Sequence, residues 1–131
     1  MKHSDYVSFL NSKCGPIWKR VGARRRAGVT VPLFSLYSKK SIGIGEAPDL
    51  KLLIDWCKTT GLSIIQLLPL NDVGFDFRPY DAQSSMALDL MYLSIESLED
   101  CGLALFAKDL KRLRKQFPSG GSRVNYGIKK A

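Results

Sequence analysis

GLSIIQLLPLNDVGFDFRPYDAQSS, residues 61–85, joins two kinds of sequence with no transition between them. Its first half runs from Gly61 through Ile64, Ile65, Gln66, Leu67 and Leu68 to Pro69. A short apolar run bounded by glycine and proline predicts a buried strand over 63–69. Its near-continuous hydrophobicity suits a parallel strand covered on both faces. In the second half, turn formers (Asn71, Asp72, Gly74, Asp76, Pro79, Asp81) alternate with Phe75, Phe77 and Tyr80. Folds of the α/β class place ligand sites on such loops, at the C-terminal ends of parallel strands.

Upstream, DLKLLIDWCKTTG predicts a helix over 49–60. Leu50, Leu53, Ile54 and Cys57 form one apolar stripe at i, i+3, i+4 and i+7. Asp49 suits the positive end of its dipole, and Gly61 suits its terminator. Val29, Val31, Leu33, Phe34 and Leu36 predict an earlier strand at 28–36, which Pro32 confines to an edge or an irregular path. Strand, helix and strand make a βαβ unit. Gly43-x-Gly45 between them resembles a phosphate-binding turn, but Pro48 stands where the dinucleotide fingerprint needs its third glycine. Those glycines read better as a tight backbone path ahead of the helix.

At the N-terminus a short helix is expected near 4–12, capped by Ser4, with Gly15-Pro16 as a break. Beyond the loop, a short helix is expected from near Ser94 toward Cys101. Leu103, Phe106, Leu110, Leu113 and Phe117 then predict an amphipathic helix over about 104–117, ended by Pro118-Ser119-Gly120-Gly121. The tail RVNYGIKKA shows no partner in the sequence.

Composition narrows the chemistry. The chain has 131 residues, enough for one domain with a core, and 45% of them are hydrophobic. No apolar run approaches the ~20 residues of a membrane span. The N-terminus MKHSDYVSFL lacks a signal-peptide core, so a cytoplasmic location is expected. Cys14, Cys57 and Cys101 are widely spaced and read as free thiols, and His3 is the only histidine. Serine or cysteine triads, histidine-rich metal sites and a cofactor are therefore not expected. The net charge of +8 divides into +6 for residues 1–37, −5 for 38–100 and +7 for 101–131. Basic ends allow nucleic-acid binding through 19–26 and 108–115, but stacking aromatics around Arg24-Arg25-Arg26 are missing.

Three blocks carry a resemblance: Gly28–Gly45 (GVTVPLFSLYSKKSIGIG), Asp49–Asn71 (DLKLLIDWCKTTGLSIIQLLPLN) and Pro79–Leu93 (PYDAQSSMALDLMYL). In order and spacing the chain resembles the N-terminal part of the 4-alpha-glucanotransferase (amylomaltase, disproportionating enzyme) family. The resemblance implies an α/β chain that forms the N-terminal part of a (β/α)8 TIM barrel, about two strands plus flanking helices. Residues 1–27 would be an extension, 28–93 the βαβ core with a substrate loop, and 94–131 a helical insertion. It further implies transfer of alpha-1,4-glucan segments to a sugar 4-hydroxyl, by a retaining mechanism whose two main carboxyls stand roughly 5–5.5 Å apart. The partners implied are an alpha-1,4-glucan or maltooligosaccharide and the missing C-terminal part of the enzyme.

A full barrel takes roughly 250 residues, and the family's catalytic acids lie in later segments. The expectation is thus an N-terminal fragment with no catalytic residue of its own. Asp72, Asp76, Asp81 and Asp89 read as turn or capping carboxylates. Tyr80 is the one site residue carried over, matching the tyrosine that lines the donor-sugar subsite. Arg78 stands where the family usually has serine. Asp89-Leu90 replaces an Asn-Pro or Asp-Pro pair, which is expected to loosen the turn after Ala87. A partial barrel also leaves strand edges and apolar faces open, so an aggregation-prone or partly molten chain is expected unless the remainder is supplied in trans. The alternatives are a non-catalytic glucan-binding or regulatory remnant and a basic nucleic-acid binder.

Overall fold

A computed structural model describes residues 3–98 and 106–131. The predicted βαβ unit is present: β1 (Gly28–Val31), α3 (Asp49–Thr60) and β2 (Ile64–Leu67), after helices α1 (His3–Leu10) and α2 (Gly15–Val21). The strands pair in parallel, with Gly28 opposite Ile64 and Val31 opposite Leu67. α3 ends as its sequence requires. Gly61 takes a left-handed backbone (φ 77°), and its N–H reaches the carbonyls of Cys57 and Lys58.

Both strands are shorter than the sequence predicts. β1 stops at Val31 because Pro32 has no N–H to donate. The chain then turns through a 3-10 segment, Leu33–Ser35, which buries Leu33. The expected two-sided burial is not found either. Along both strands exposed residues alternate with half-buried ones. One crossover helix cannot cover two faces of a sheet. α3 is itself only partly covered: Cys57 is buried, while Leu52, Ile54 and Trp56 stand about half exposed.

The best-buried segment is instead SIGIGE, where every residue from Ser41 to Glu46 is buried. Ile42 packs with Leu110 and Phe117, and Leu113 and Ile128 close around them. Leu110 and Leu113 lie on α4 (Ala107–Gln116), which starts after the predicted 104 and ends one residue before Phe117. Leu103, Cys101 and the helix expected to reach them fall outside the described residues. Near Ser94 the chain forms a 3-10 turn, Ile95–Ser97.

Two further expectations are corrected. Gly15-Pro16 does not interrupt structure; Pro16 sits in the first turn of α2, where a missing N–H costs nothing. α1 begins at His3, so Ser4 lies within its first turn rather than ahead of it. The pair of helices is joined by Phe9 against Trp18, ring centres 5.6 Å apart. The tail also has a partner after all. Asn125 N–H donates to the Gly43 carbonyl (3.1 Å), and Tyr126–Lys130 form a 3-10 turn against the body. Among the described residues no helix is long and apolar enough to cross a membrane.

Candidate functional site

The loop after β2 is a closed structure. Asn71 and Leu88 form an antiparallel bridge. Asp72 N–H donates to the Ala87 carbonyl (3.0 Å), and Asp89 N–H to the Leu70 carbonyl (2.9 Å). Across the loop, Gln83 N–H donates to the Asp72 carbonyl (2.8 Å). Val73 is buried beneath it.

The four loop aspartates hold the backbone or pair with cations, as their turn-forming sequence predicts. Asp72 accepts from Gly74 N–H at 2.9 Å. That bond, helped by the Lys129 ammonium, holds its carboxyl below the usual range. Asp76 pairs with Arg78, which lowers the Asp76 pKa and raises that of the guanidinium. Arg78 also reaches Asp81 at 3.1 Å. Arg78 thus ties both sides of a turn, closed by Asp81 N–H on the Arg78 carbonyl (3.0 Å). Tyr80 projects from this turn and is 81% exposed. It does not pin the loop to the body; its ring is presented to solvent.

Asp89 is buried and accepts from Met91 N–H at 3.1 Å, capping the 3-10 turn Leu90–Tyr92. The turn expected to be loose at Asp89-Leu90 is therefore held, by the Asp89 side chain and by its carbonyl, which accepts from Tyr92 N–H (3.2 Å). Lys129 from the tail forms an ion pair with Asp89 and lies 3.4 Å from Asp72. Burial and the Asp89 charge push the neighbouring Tyr92 hydroxyl up to about 12. Tyr126 packs in tilted contact with Phe77 (4.8 Å) and Phe34 (5.6 Å). Sequence reasoning missed Lys129 and Tyr126, since neither spacing nor composition links a tail to a loop so distant along the chain.

A cavity of about 500 Å3 is lined by Ser38, Lys40, Ser41, Glu46, Asp49 and Ser94 among others. Its floor is a buried polar network. Ser41 donates to Asp49 (2.7 Å), and so does Glu46 N–H (2.8 Å). Glu46 accepts from Ile42 N–H (3.2 Å) and from the Ser94 hydroxyl. The backbone of Ile42 and Glu46 is thus engaged internally, and 41–46 is not a phosphate cradle. Burial pushes the Glu46 pKa up, outweighing its hydrogen bonds, with Asp49 and Glu96 adding repulsion. A raised carboxyl favours the fold below its unfolded value of 4.5, and that contribution is lost as pH rises through the folded value. Glu46→Gln should therefore raise the melting temperature at pH 7. The gain should vanish below pH 4.5, in melts compared across pH. A variant less stable at neutral pH would show that the charged form is favoured.

Comparison with known proteins gives this geometry a family. The model of the 4-alpha-glucanotransferase family matches residues 31–130, most of the chain. The chain belongs to the 4-alpha-glucanotransferase family. Tyr80, Lys129 and the 41–46 segment all lie within the match, while α1 and α2 precede it. The 4-alpha-glucanotransferase of Chlamydia pneumoniae is 52% identical over 81 residues, 62% of this chain and 15% of that protein. That of Chlamydia caviae is 42% identical over 106 residues, 81% of this chain and 20% of its own. 4-alpha-glucanotransferase DPE2 of Oryza sativa subsp. japonica is 39% identical over 97 residues, 70% of this chain and 10% of its own. The chain thus spans no more than about a fifth of these 4-alpha-glucanotransferases. Among the described residues no group of three or more His, Cys, Asp or Glu could hold a metal ion.

Proposed function

We propose that this chain is the part of a 4-alpha-glucanotransferase barrel that presents a donor-sugar loop, and that the reacting carboxylates stand on other polypeptide. The observation that carries the reading is Tyr80, within the family match, exposed at the tip of a loop whose acids are all engaged. An exposed tyrosine ring can cover the apolar face of a glucose while its hydroxyl reaches a sugar hydroxyl. Glycoside cleavage with retention needs two carboxyls free to act as nucleophile and acid/base. Asp72 and Asp89 cap turns and share Lys129, and Asp76 and Asp81 share Arg78, so none of the four is free for that work.

The uncovered apolar surface supports the barrel reading. A groove of about 450 Å3 between α3 and β2 is lined by Leu50, Ile54, Cys57, Leu62, Ile64 and Leu67. Further barrel segments, in cis or in trans, would fill it and pair the free strand edge. They would also shield a glycosyl intermediate from water, which favours a sugar acceptor.

The test uses maltotriose. A protein containing this chain and the rest of the barrel should disproportionate it; residues 1–131 alone should not. Tyr80→Ala should weaken maltooligosaccharide binding by about tenfold, roughly what one lost sugar–aromatic contact costs. Turnover by residues 1–131 alone would overturn the placing of the acids. Binding indifferent to Tyr80→Ala would overturn the assignment of the loop. Glucan binding by 1–131 that no added segment converts to turnover would favour a non-catalytic glucan-binding role.

A further inference from the structure

We infer that Lys129 is the positioning residue of the Tyr80 loop, clamping both of its ends from the C-terminal tail. For its effect on sugar the inference rests on the reading of Tyr80 given above; the clamp itself does not. The loop leaves the body at Asp72 and returns at Asp89, and one ammonium serves both carboxylates. The Asp89 arm is interior, whereas the Asp72 carboxylate is 42% exposed. The Lys129 side chain is 12% exposed and that of Asp89 only 1%. A charge so enclosed is costly without its partner, so removing one member is far more damaging than losing a surface pair.

While Asn125 and Ile128 anchor the tail to the Gly43 carbonyl and the Ile42 cluster, its aromatic and basic side chains also meet the loop. Tyr126 packs in tilted contact with Phe77, and the Lys129 ammonium sits 5.9 Å from the same ring. Phe77 holds a positive φ of 59°, a conformation few non-glycine residues keep unless their surroundings impose it. Lys130 reaches the Phe75 ring at 5.8 Å. Tyr126, Lys129 and Lys130 thus each meet an aromatic ring of the loop, Phe77 or Phe75. These contacts fall on Asp72, Phe75, Phe77 and Asp89, while Tyr80 stays 81% exposed. Holding the loop before sugar arrives removes an ordering cost from binding, which is how a residue that never touches ligand raises affinity.

Hydrogen exchange and maltoheptaose titration on residues 1–131 test this together. In Lys129→Met, the amides of Gly74, Gln83 and Asp89 should exchange about tenfold faster, while α3 amides around Cys57 change less than about twofold. Maltoheptaose affinity should fall by about the same factor as in Tyr80→Ala, and Lys129→Arg should restore both readouts, since the charge is kept. Asp89→Asn keeps an oxygen for Met91 N–H but loses the charge, and should free the loop as Lys129→Met does. Loop amides that stay protected in both variants would overturn the clamp. So would exchange that rises uniformly through α3, which marks a general loss of fold. If the wild-type chain binds no maltoheptaose, the reading of Tyr80 fails, and the exchange pattern still decides whether Lys129 holds the loop.

Discussion

Gly45→Ala should remove the native melting transition of this chain or lower its midpoint steeply. A Cβ built at Gly45 would lie 1.8 Å from the Leu36 carbonyl oxygen and 2.1 Å from that of Leu33. Both obstacles are backbone, so no rotamer change relieves them. Gly45 N–H donates to the Phe34 carbonyl (3.1 Å), which locks the two segments at this separation. Relief means moving the 33–36 turn, and with it Leu33, one of the most enclosed apolar side chains. Overpacking of this kind costs about 3 kcal/mol at its upper end. For a chain of this size that corresponds to roughly 10–15 °C in melting temperature. Circular dichroism melts of both proteins measure it. A shift under a few degrees would mean that the 33–45 contact is far looser than its geometry.

The same segment shows what the sequence could and could not disclose. α3 was legible because its apolar spacing, its first-turn aspartate and its terminal glycine all agree, and its bounds match those expected. β2 was legible as a strand, and the loop after it as a loop, because Pro69 and the cluster of turn formers punctuate the change. Burial was not legible. Strands with continuous apolar sequence are half exposed here, while SIGIGE, which has no periodic signal, lies at the centre. Hydrophobic patterning reports what a segment would bury in its full surroundings, and two strands with one helix do not supply them. SIGIGE is buried for another reason: two glycines let backbone pass close to the 33–36 turn and the tail, and Glu46 and Asp49 satisfy the enclosed N–H groups.

The candidate site divides in the same way. The roles of Asp72 and Asp89 as turn formers follow from local chemistry, since an aspartate accepts from the N–H two residues on. The exposure of Tyr80 could not be read locally, because a tyrosine after proline in a tight loop pins as readily as it projects. The Arg78 pairs with Asp76 and Asp81 are themselves exposed and leave the ring uncovered. Lys129 was beyond reach altogether. Its pairing depends on the chain reversing after Phe117, and PSGGSR specifies a turn but not where the turn leads.

Phe117→Ala should therefore act on the loop without touching it. Phe117 is buried against Ile42 and Leu110, and its ring edge lies within 3.0 Å of where a Cβ on Gly127 would stand. It is the side chain on which the returning tail rests. Truncating a buried phenylalanine costs about 3–5 kcal/mol. In a chain whose apolar core is this small, that is a large share of the stability of an ordinary domain, about 5–15 kcal/mol. The loss should not be confined to the core. Once residues 125–130 lift, the ammonium leaves Asp89 and the Tyr126 ring leaves Phe77, so the cost of Phe117→Ala already includes most of what Lys129→Met removes. The double variant should then be less destabilised than the two single losses predict, with a coupling of about 1–3 kcal/mol. Urea titrations of the four proteins measure that coupling. Strict additivity would mean that the tail does not carry Lys129 to the loop as one body, because two sites joined only through an independent scaffold contribute separately.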